Sequence, residues 1–272
     1  MTALHPHTPL HTAFSPCPND TLMFHAMVNG LINTRGLTFT PHLHDIDALN
    51  QMGFSQTYDI TKLSFFTALK LRDTHTRLDA GSALGFGCGP LLVGMAPDRF
   101  TTDSLVAIPG ELTTAHLLLK LWNPGITRTV VDRFDNILKG VASGTYDAGL
   151  IIHEGRFVYP DYGCRKIVDL GQWWEETTGL PIPLGCIAVK NASPAFDNRK
   201  TITRILNASI QYAFDHPHAS KEFVKAHAQE MADDVIAGHI ALYVNEFSLS
   251  LGENGTKAVT RLEEMAAWAN IL

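Results

Sequence analysis

From residue 12 to residue 189 short β-rich runs alternate with stretches of helical spacing, and this alternation limits the possible folds more than any other feature. Repeated strand–helix–strand succession argues for an α/β architecture with mostly parallel sheets. Strands are expected at 12–15, 38–42, 58–60 and 91–95, with helices at 19–29, 46–52 and 64–71 between them. Asn19 or Asp20 supplies an N-terminal cap to the first helix, and Gly30 a C-terminal stop. A second set follows, with strands at 105–108, 129–132, 148–153 and 166–170 and helices at 114–122 and 134–142, before a strand at 186–189. Beyond residue 200 the pattern changes. Apolar residues recur every three to four positions over 202–214, 220–228, 235–243 and 255–269, so the C-terminal tail is helical.

An internal echo divides the alternation in two. Ser55-Gln56-Thr57-Tyr58-Asp59 and Ser143-Gly144-Thr145-Tyr146-Asp147 lie about 90 residues apart, each after a helix and before an apolar run. Two α/β lobes of related topology account for this. The chain is expected to cross near 89–96 and to return near 185–190. That gives a large lobe of residues 1–93 plus 190–272 and a small lobe of 94–189. Two extended crossings form a hinge, and the cleft between the lobes is where a small molecule would lie.

Composition narrows the partners. With 272 residues, 45% of them hydrophobic, the chain can bury a large core. Lys plus Arg number 21 against 27 Asp plus Glu, for a net charge of −6. Without a basic block, nucleic acid and anionic membranes are poor partners. Apolar runs such as 148–152 fall far short of the ~20 residues of a spanning helix, so no membrane insertion is expected. Residues 1–9 carry His and Pro where a secretory signal needs a basic region and an apolar stretch, and a cytoplasmic location is expected. Cys17, Cys88, Cys164 and Cys186 form no Cys-x-x-Cys pair and are read as buried thiols. Of the thirteen histidines, His5, His7 and His11 lie in a Pro/Thr-rich leader, and His42-x-His44 with Asp45 lacks a convincing further ligand. No metal is expected.

In α/β sheets, ligands gather outside the carboxyl ends of the strands. Three segments meet that condition. Pro109-Gly110-Glu111-Leu112-Thr113-Thr114-Ala115 ends a strand and opens a helix, whose free N–H groups and two hydroxyls suit a carboxylate, phosphate or developing oxyanion. Thr113 as the cap of its own helix explains the same residues. Thr61-Lys62-Leu63-Ser64 lies between a strand and a helix, with Ser64 either an N-cap or a ligand donor and Lys62 either an anion contact or a solvated cation. His153-Glu154 follows a run apolar enough to be buried on both faces, which puts an imidazole at a strand end, where it is either a base or a hydrogen-bonded edge residue. Cys17 sits at a strand-to-helix turn without an evident partner base. Trp173-Trp174 and the segment 181–185 fit either a cleft wall or ordinary core.

Taken together, several motifs resemble one family, the 1,4-dihydroxy-6-naphthoate synthases of the futalosine route to menaquinone. They are Ser15-Pro16-Cys17-Pro18-Asn19-Asp20-Thr21, Thr61-Lys62-Leu63-Ser64, Pro109-Gly110, Thr113-Thr114-Ala115, Gly149-Leu150-Ile151-Ile152-His153-Glu154, Trp173-Trp174-Glu175-Glu176 and Thr178-Gly179-Leu180-Pro181-Ile182-Pro183-Leu184-Gly185. The tail, with Tyr243-Val244-Asn245 and Phe247-Ser248-Leu249, is similar too. The resemblance implies a two-lobed, periplasmic-binding-protein-like (type 2) fold with a central ligand cleft. It also implies a lyase reaction without a cofactor, turning cyclic dehypoxanthine futalosine into 1,4-dihydroxy-6-naphthoate and a sugar-derived fragment. His153 falls on the family's proton acceptor, and Lys62, Leu63, Ser64, Thr114, Ala115 and Asn50 on its ligand contacts. Where the family often has a basic or His residue before Thr-Thr, this chain departs from the pattern with Glu111-Leu112. In the expected mechanism cleft closure expels water and His153 takes a proton. The Thr114 hydroxyl and the N–H groups of Thr114 and Ala115 meet the negative charge that develops. A non-catalytic solute-binding protein and the related chorismate dehydratase of the same pathway are the rival readings.

Overall fold

The computed structural model describes residues 9–228 and 232–272, so His5 and His7 lie outside the described residues. In chain order the strands are β1 (Leu10–Phe14), β2 (Phe39–Leu43), β3 (Ile60–Ser64), β4 (His75–Arg77), β5 (Ala83–Gly85), β6 (Leu91–Gly94), β7 (Val106–Ile108), β8 (Thr129–Val131), β9 (Ala148–Ile151), β10 (Arg165–Asp169) and β11 (Ile182–Lys190). They form two sheets. The first has the order β2-β1-β3-β11-β4, with β5 also paired to β11, and the second runs β10-β6-β9-β7-β8. Pro41, which cannot donate to a ladder, sits in the edge strand β2. β7 and β9 are apolar and buried along their whole length, as befits strands covered on both faces.

Both sheets are mixed rather than mostly parallel. β1 pairs in parallel with β2 and β3, and β7 with β8 and β9. β6 and β11, the strands the chain enters after each crossing, pair antiparallel with their neighbours. A strand arriving from the other lobe has no crossover helix to turn it, so the parallel rule does not bind it. At the crossings Gly89 lies against Gly171. A Cβ on Gly89 would stand 2.2 Å from the Gly171 Cα. Arg156 locks this point by donating to the Gly89 carbonyl at 2.6 Å and pairing with Asp169 at 2.7 Å.

The helix Pro18–Val28 starts one residue before the expected caps. Cys17 is its N-cap and Pro18, with its preset φ, takes the first helical position. That leaves the side chains of Asn19 and Asp20 free for other partners. Thr61 to Ser64 belong to β3 and not to a loop, because they pair with β11 from Gly185↔Ser64 to Ala188↔Thr61. The tail forms the helices Arg199–Asp215, Lys221–His227, Asp233–Tyr243, Glu246–Leu249 and Gly252–Trp268. Ile202, Ile205, Leu206 and Ile210 make one buried stripe on the first of these, against Phe24 and Ile187. Each such side chain contributes roughly 1.5–3 kcal/mol by leaving water. A second cluster joins both lobes, bringing Phe65 and Phe66 against Ile108, Leu117 and Trp174, with Leu262 of the last helix.

Candidate active site

Four strand ends meet at one cavity between the sheets. β1 leads to Ser15 and the helix carrying Asn19 and Asp20, β3 ends at Ser64, β7 runs into the helix Thr114–Trp122, and β9 delivers His153. The cavity spans about 630 Å³ of empty space, open solvent at its mouth included. Lys62, Ser64, Thr114, Ala115 and His153 all line it. Leu63, on the other face of β3 by strand alternation, packs instead with Leu71 and Ala188. Asn50 stands behind the wall. Its amide donates to Ser64 Oγ at 3.0 Å and accepts from the Ser64 N–H at 2.9 Å, so it fixes Ser64 from outside the cavity. Ser64 occupies the cap position of Phe65–Lys70 without making a side-chain cap bond.

His153 is held in the left-handed region at φ +55. A non-glycine residue there costs about 1–3 kcal/mol and persists where its surroundings over-determine it. Its Nδ1 is 3.4 Å from Cys17 Sγ, while its buried Nε2 has no partner among the described residues. Phe134 meets the ring edge-on with centroids 5.1 Å apart. Burial holds the imidazole at a pKa of about 4, with Asp20 opposing weakly, so the neutral, proton-accepting form prevails at working pH. Burial also pushes the Cys17 thiol up, as does Glu154, so it stays S–H, a neutral partner and not a thiolate nucleophile. Burial likewise raises the pKa of the Glu154 carboxyl, and its Oε2 has no partner among the described residues.

Lys62 reaches Asp20 at 2.6 Å, both side chains buried. Asp20 also accepts from Ser15 Oγ at 2.7 Å and from the Asn19 amide at 2.9 Å. These contacts compensate a buried pair that would otherwise be costly. Thr113 caps its own helix, accepting from the His116 N–H and donating to the Gly110 carbonyl. The Thr114 hydroxyl is committed as well. It donates to the Leu184 carbonyl at 2.8 Å and accepts from the Phe66 N–H at 3.2 Å, tying the helix Thr114–Trp122 to β11 and to the helix Phe65–Lys70 beside the first sheet. The first-turn N–H groups of Thr114 and Ala115 have no intrahelical partner, and both residues line the cavity.

His239 and Tyr243 also line the cavity, one helical turn apart on Asp233–Tyr243. Tyr243 opens the Tyr243-Val244-Asn245 stretch that resembles the family, whereas nothing in the local sequence marks His239 beyond its spacing of four from that tyrosine. Trp174 is core, donating through Nε1 to the Pro181 carbonyl, while Leu184 and Gly185 do reach the wall. His42 pairs with His11, and His44 with Tyr58, so the His-x-His motif spends its nitrogens within the large lobe. Cavity and contacts together suit base chemistry on an enclosed small molecule, with helix N–H groups for an oxyanion.

Comparison with known proteins agrees in sequence and in shape. A family model described as "Menaquinone biosynthesis" matches residues 10–268. A Thermus thermophilus protein named "1,4-dihydroxy-6-naphtoate synthase" is 44% identical over 93% of this chain and 92% of its own length. A crystal structure of an Archaeoglobus fulgidus protein superposes with a TM-score of 0.91 at 31% identity, covering 97% of this chain and 98% of that one. A Candida albicans protein described as having the generic periplasmic binding protein fold gives a TM-score of 0.68 at 15% identity over 98% and 91% of the two chains. The last likeness concerns the fold alone.

Proposed function

The chain belongs to the menaquinone-biosynthesis family, and from that premise we propose that its central cavity forms 1,4-dihydroxy-6-naphthoate, with His153 as general base. The observation that carries the assignment of the base is the unpartnered, buried Nε2 of a neutral imidazole held in a strained backbone at the cavity wall. The substrate is cyclic dehypoxanthine futalosine, a small molecule that meets the protein in the cytoplasm. His153 Nε2 takes a proton from it, and Cys17 Sγ, as acceptor from Nδ1–H, holds the ring in the tautomer that leaves Nε2 free.

The pair left behind forms a new ring double bond as the carbon–carbon bond to the sugar-derived fragment breaks, and the pair of the broken bond is taken up on a conjugated oxygen. The proton held by His153 is returned as the fragment leaves and the fused ring becomes aromatic. Negative charge on oxygen is met by the N–H groups of Thr114 and Ala115. The Thr114 hydroxyl, already bonded to Leu184, contributes by holding that helix start in place. Lys62 and Ser64 orient the substrate, with Asn50 fixing Ser64 from behind. General-base catalysis of this kind typically supplies ~10²–10⁴ in rate.

Incubation of the purified protein with cyclic dehypoxanthine futalosine tests the proposal, read by the fluorescence of the naphthoate product. Product without added cofactor is expected. Tight binding without conversion, or turnover of chorismate instead, would contradict it.

A further inference from the structure

We infer that His239 is a second imidazole of the substrate site, accepting a hydrogen bond from a substrate hydroxyl on its Nδ1. The inference rests on the reading of the cavity as the place where substrate binds. It starts from two orphaned nitrogens. Several buried histidine nitrogens lack partners among the described residues, but only His153 Nε2 and His239 Nδ1 belong to rings that line the cavity. His239 is 1% exposed. An acceptor kept buried without a donor is costly, and such groups persist where a ligand completes them.

The tautomer follows from the neighbours. His239 Nε2 lies 3.0 Å from Asn19 Oδ1. The Asn19 amide nitrogen lies 2.9 Å from Asp20 Oδ1, the same oxygen that holds the Lys62 ammonium at 2.6 Å. A carboxylate only accepts, so the amino side of Asn19 must face Asp20 and its carbonyl must face His239. Nε2 therefore carries the hydrogen, and Nδ1 presents a bare lone pair. The chain Lys62–Asp20–Asn19–His239 thus begins at a buried ion pair and ends at an acceptor in the cavity. The ring is held between neighbours, near-parallel to His153 at 6.1 Å and beside Tyr243 at 4.6 Å between centroids. Burial keeps it neutral, at a pKa of about 3, so it remains an acceptor throughout the working range. A hydroxyl-bearing substrate is the ligand class this fits, because one O–H satisfies Nδ1 while the carbon beside it stays near His153.

Two substitutions separate the two nitrogens. His239→Gln keeps a donor at the ε position for Asn19 and removes the δ acceptor, and kcat/KM for cyclic dehypoxanthine futalosine should fall at least about tenfold. His239→Asn restores an acceptor near the δ position and should recover part of that loss, with melting temperature reporting folding in both. In parallel, nitrogen-15 spectra of histidine-labelled protein, assigned by the signal missing from His239→Gln, should show hydrogen on Nε2 and none on Nδ1. Hydrogen on Nδ1 overturns the inference whatever the activity, and so does unchanged kcat/KM in a folded His239→Gln protein beside an active wild type. A wild type that makes no naphthoate refutes instead the reading of the cavity, and this assignment with it.

Discussion

His153 and His239 are two imidazoles kept from protonation by the same cause, removal from water, and this leaves a mark on stability. Their pKa values of about 4 and about 3 lie below the 6.5 of a free imidazole. As pH falls through 6.5 the unfolded chain takes up protons that the folded chain refuses, so stability drops. The loss continues until the folded pKa values are reached and then levels off. Glu154 and Asp47, whose carboxyls burial raises, act with the opposite sign at the acid end, since their folded forms bind protons first. Melting temperature should therefore fall between pH 6.5 and about 4 more steeply in the wild type than in a protein with both histidines changed to Gln. Parallel pH curves for the two would contradict the account. The same burial explains why His153 was readable and His239 was not. His153 ends an apolar strand, a position with a chemical meaning in this architecture, whereas His239 sits mid-helix and reaches the cavity wall only when the tail folds over Asn19.

Among elements, the legible ones carried their own start and stop signals. Thr114–Trp122 was readable end to end because Thr113 caps it and its apolar positions recur at helical spacing. β4 and β5, three residues each, are too short for any periodicity and exist because β11 offers them a partner. The helix Leu170–Thr178 was overlooked, although Asp169 caps it through the N–H groups of Gly171 and Gln172 and Gly179 stops it at φ +68. Its Trp-Trp pair drew attention to the cleft when the cap was the stronger local signal. This helix matters for the hinge, since Gly171 is the residue Gly89 touches. Neither glycine needs a positive φ. They are required by the close approach of two backbones. Gly89→Ala should destabilise the fold by roughly 1–3 kcal/mol in urea titration through overpacking at the crossing. An unchanged midpoint would show that the crossings have more room than the geometry gives them.

At the scale of the molecule, the site is assembled from segments spread from Ser15 to Tyr243, and each lobe alone has only part of it. Thr67 Oγ1 donates to the Leu112 carbonyl, and the Phe66 N–H donates to Thr114 Oγ1, so the lobes are latched at the cleft. Gly110, at φ +144, lets Asp47 pack against its backbone where a Cβ would collide. Two lobes, a cleft and a helical tail were all legible from alternation and spacing. The antiparallel entries of β6 and β11 were not, because strand direction depends on where the chain comes from and leaves no local trace. The proposed reaction puts the substrate among His153, the Thr114 helix start and the Lys62–Asp20 pair, all of which line the one cavity. The most direct measurement is single-turnover conversion of cyclic dehypoxanthine futalosine by His153→Asn beside the wild type. The account expects the rate to fall by ~10²–10⁴ while substrate affinity and melting temperature stay near those of the wild type. A folded, substrate-binding variant that turns over at the wild-type rate would contradict it.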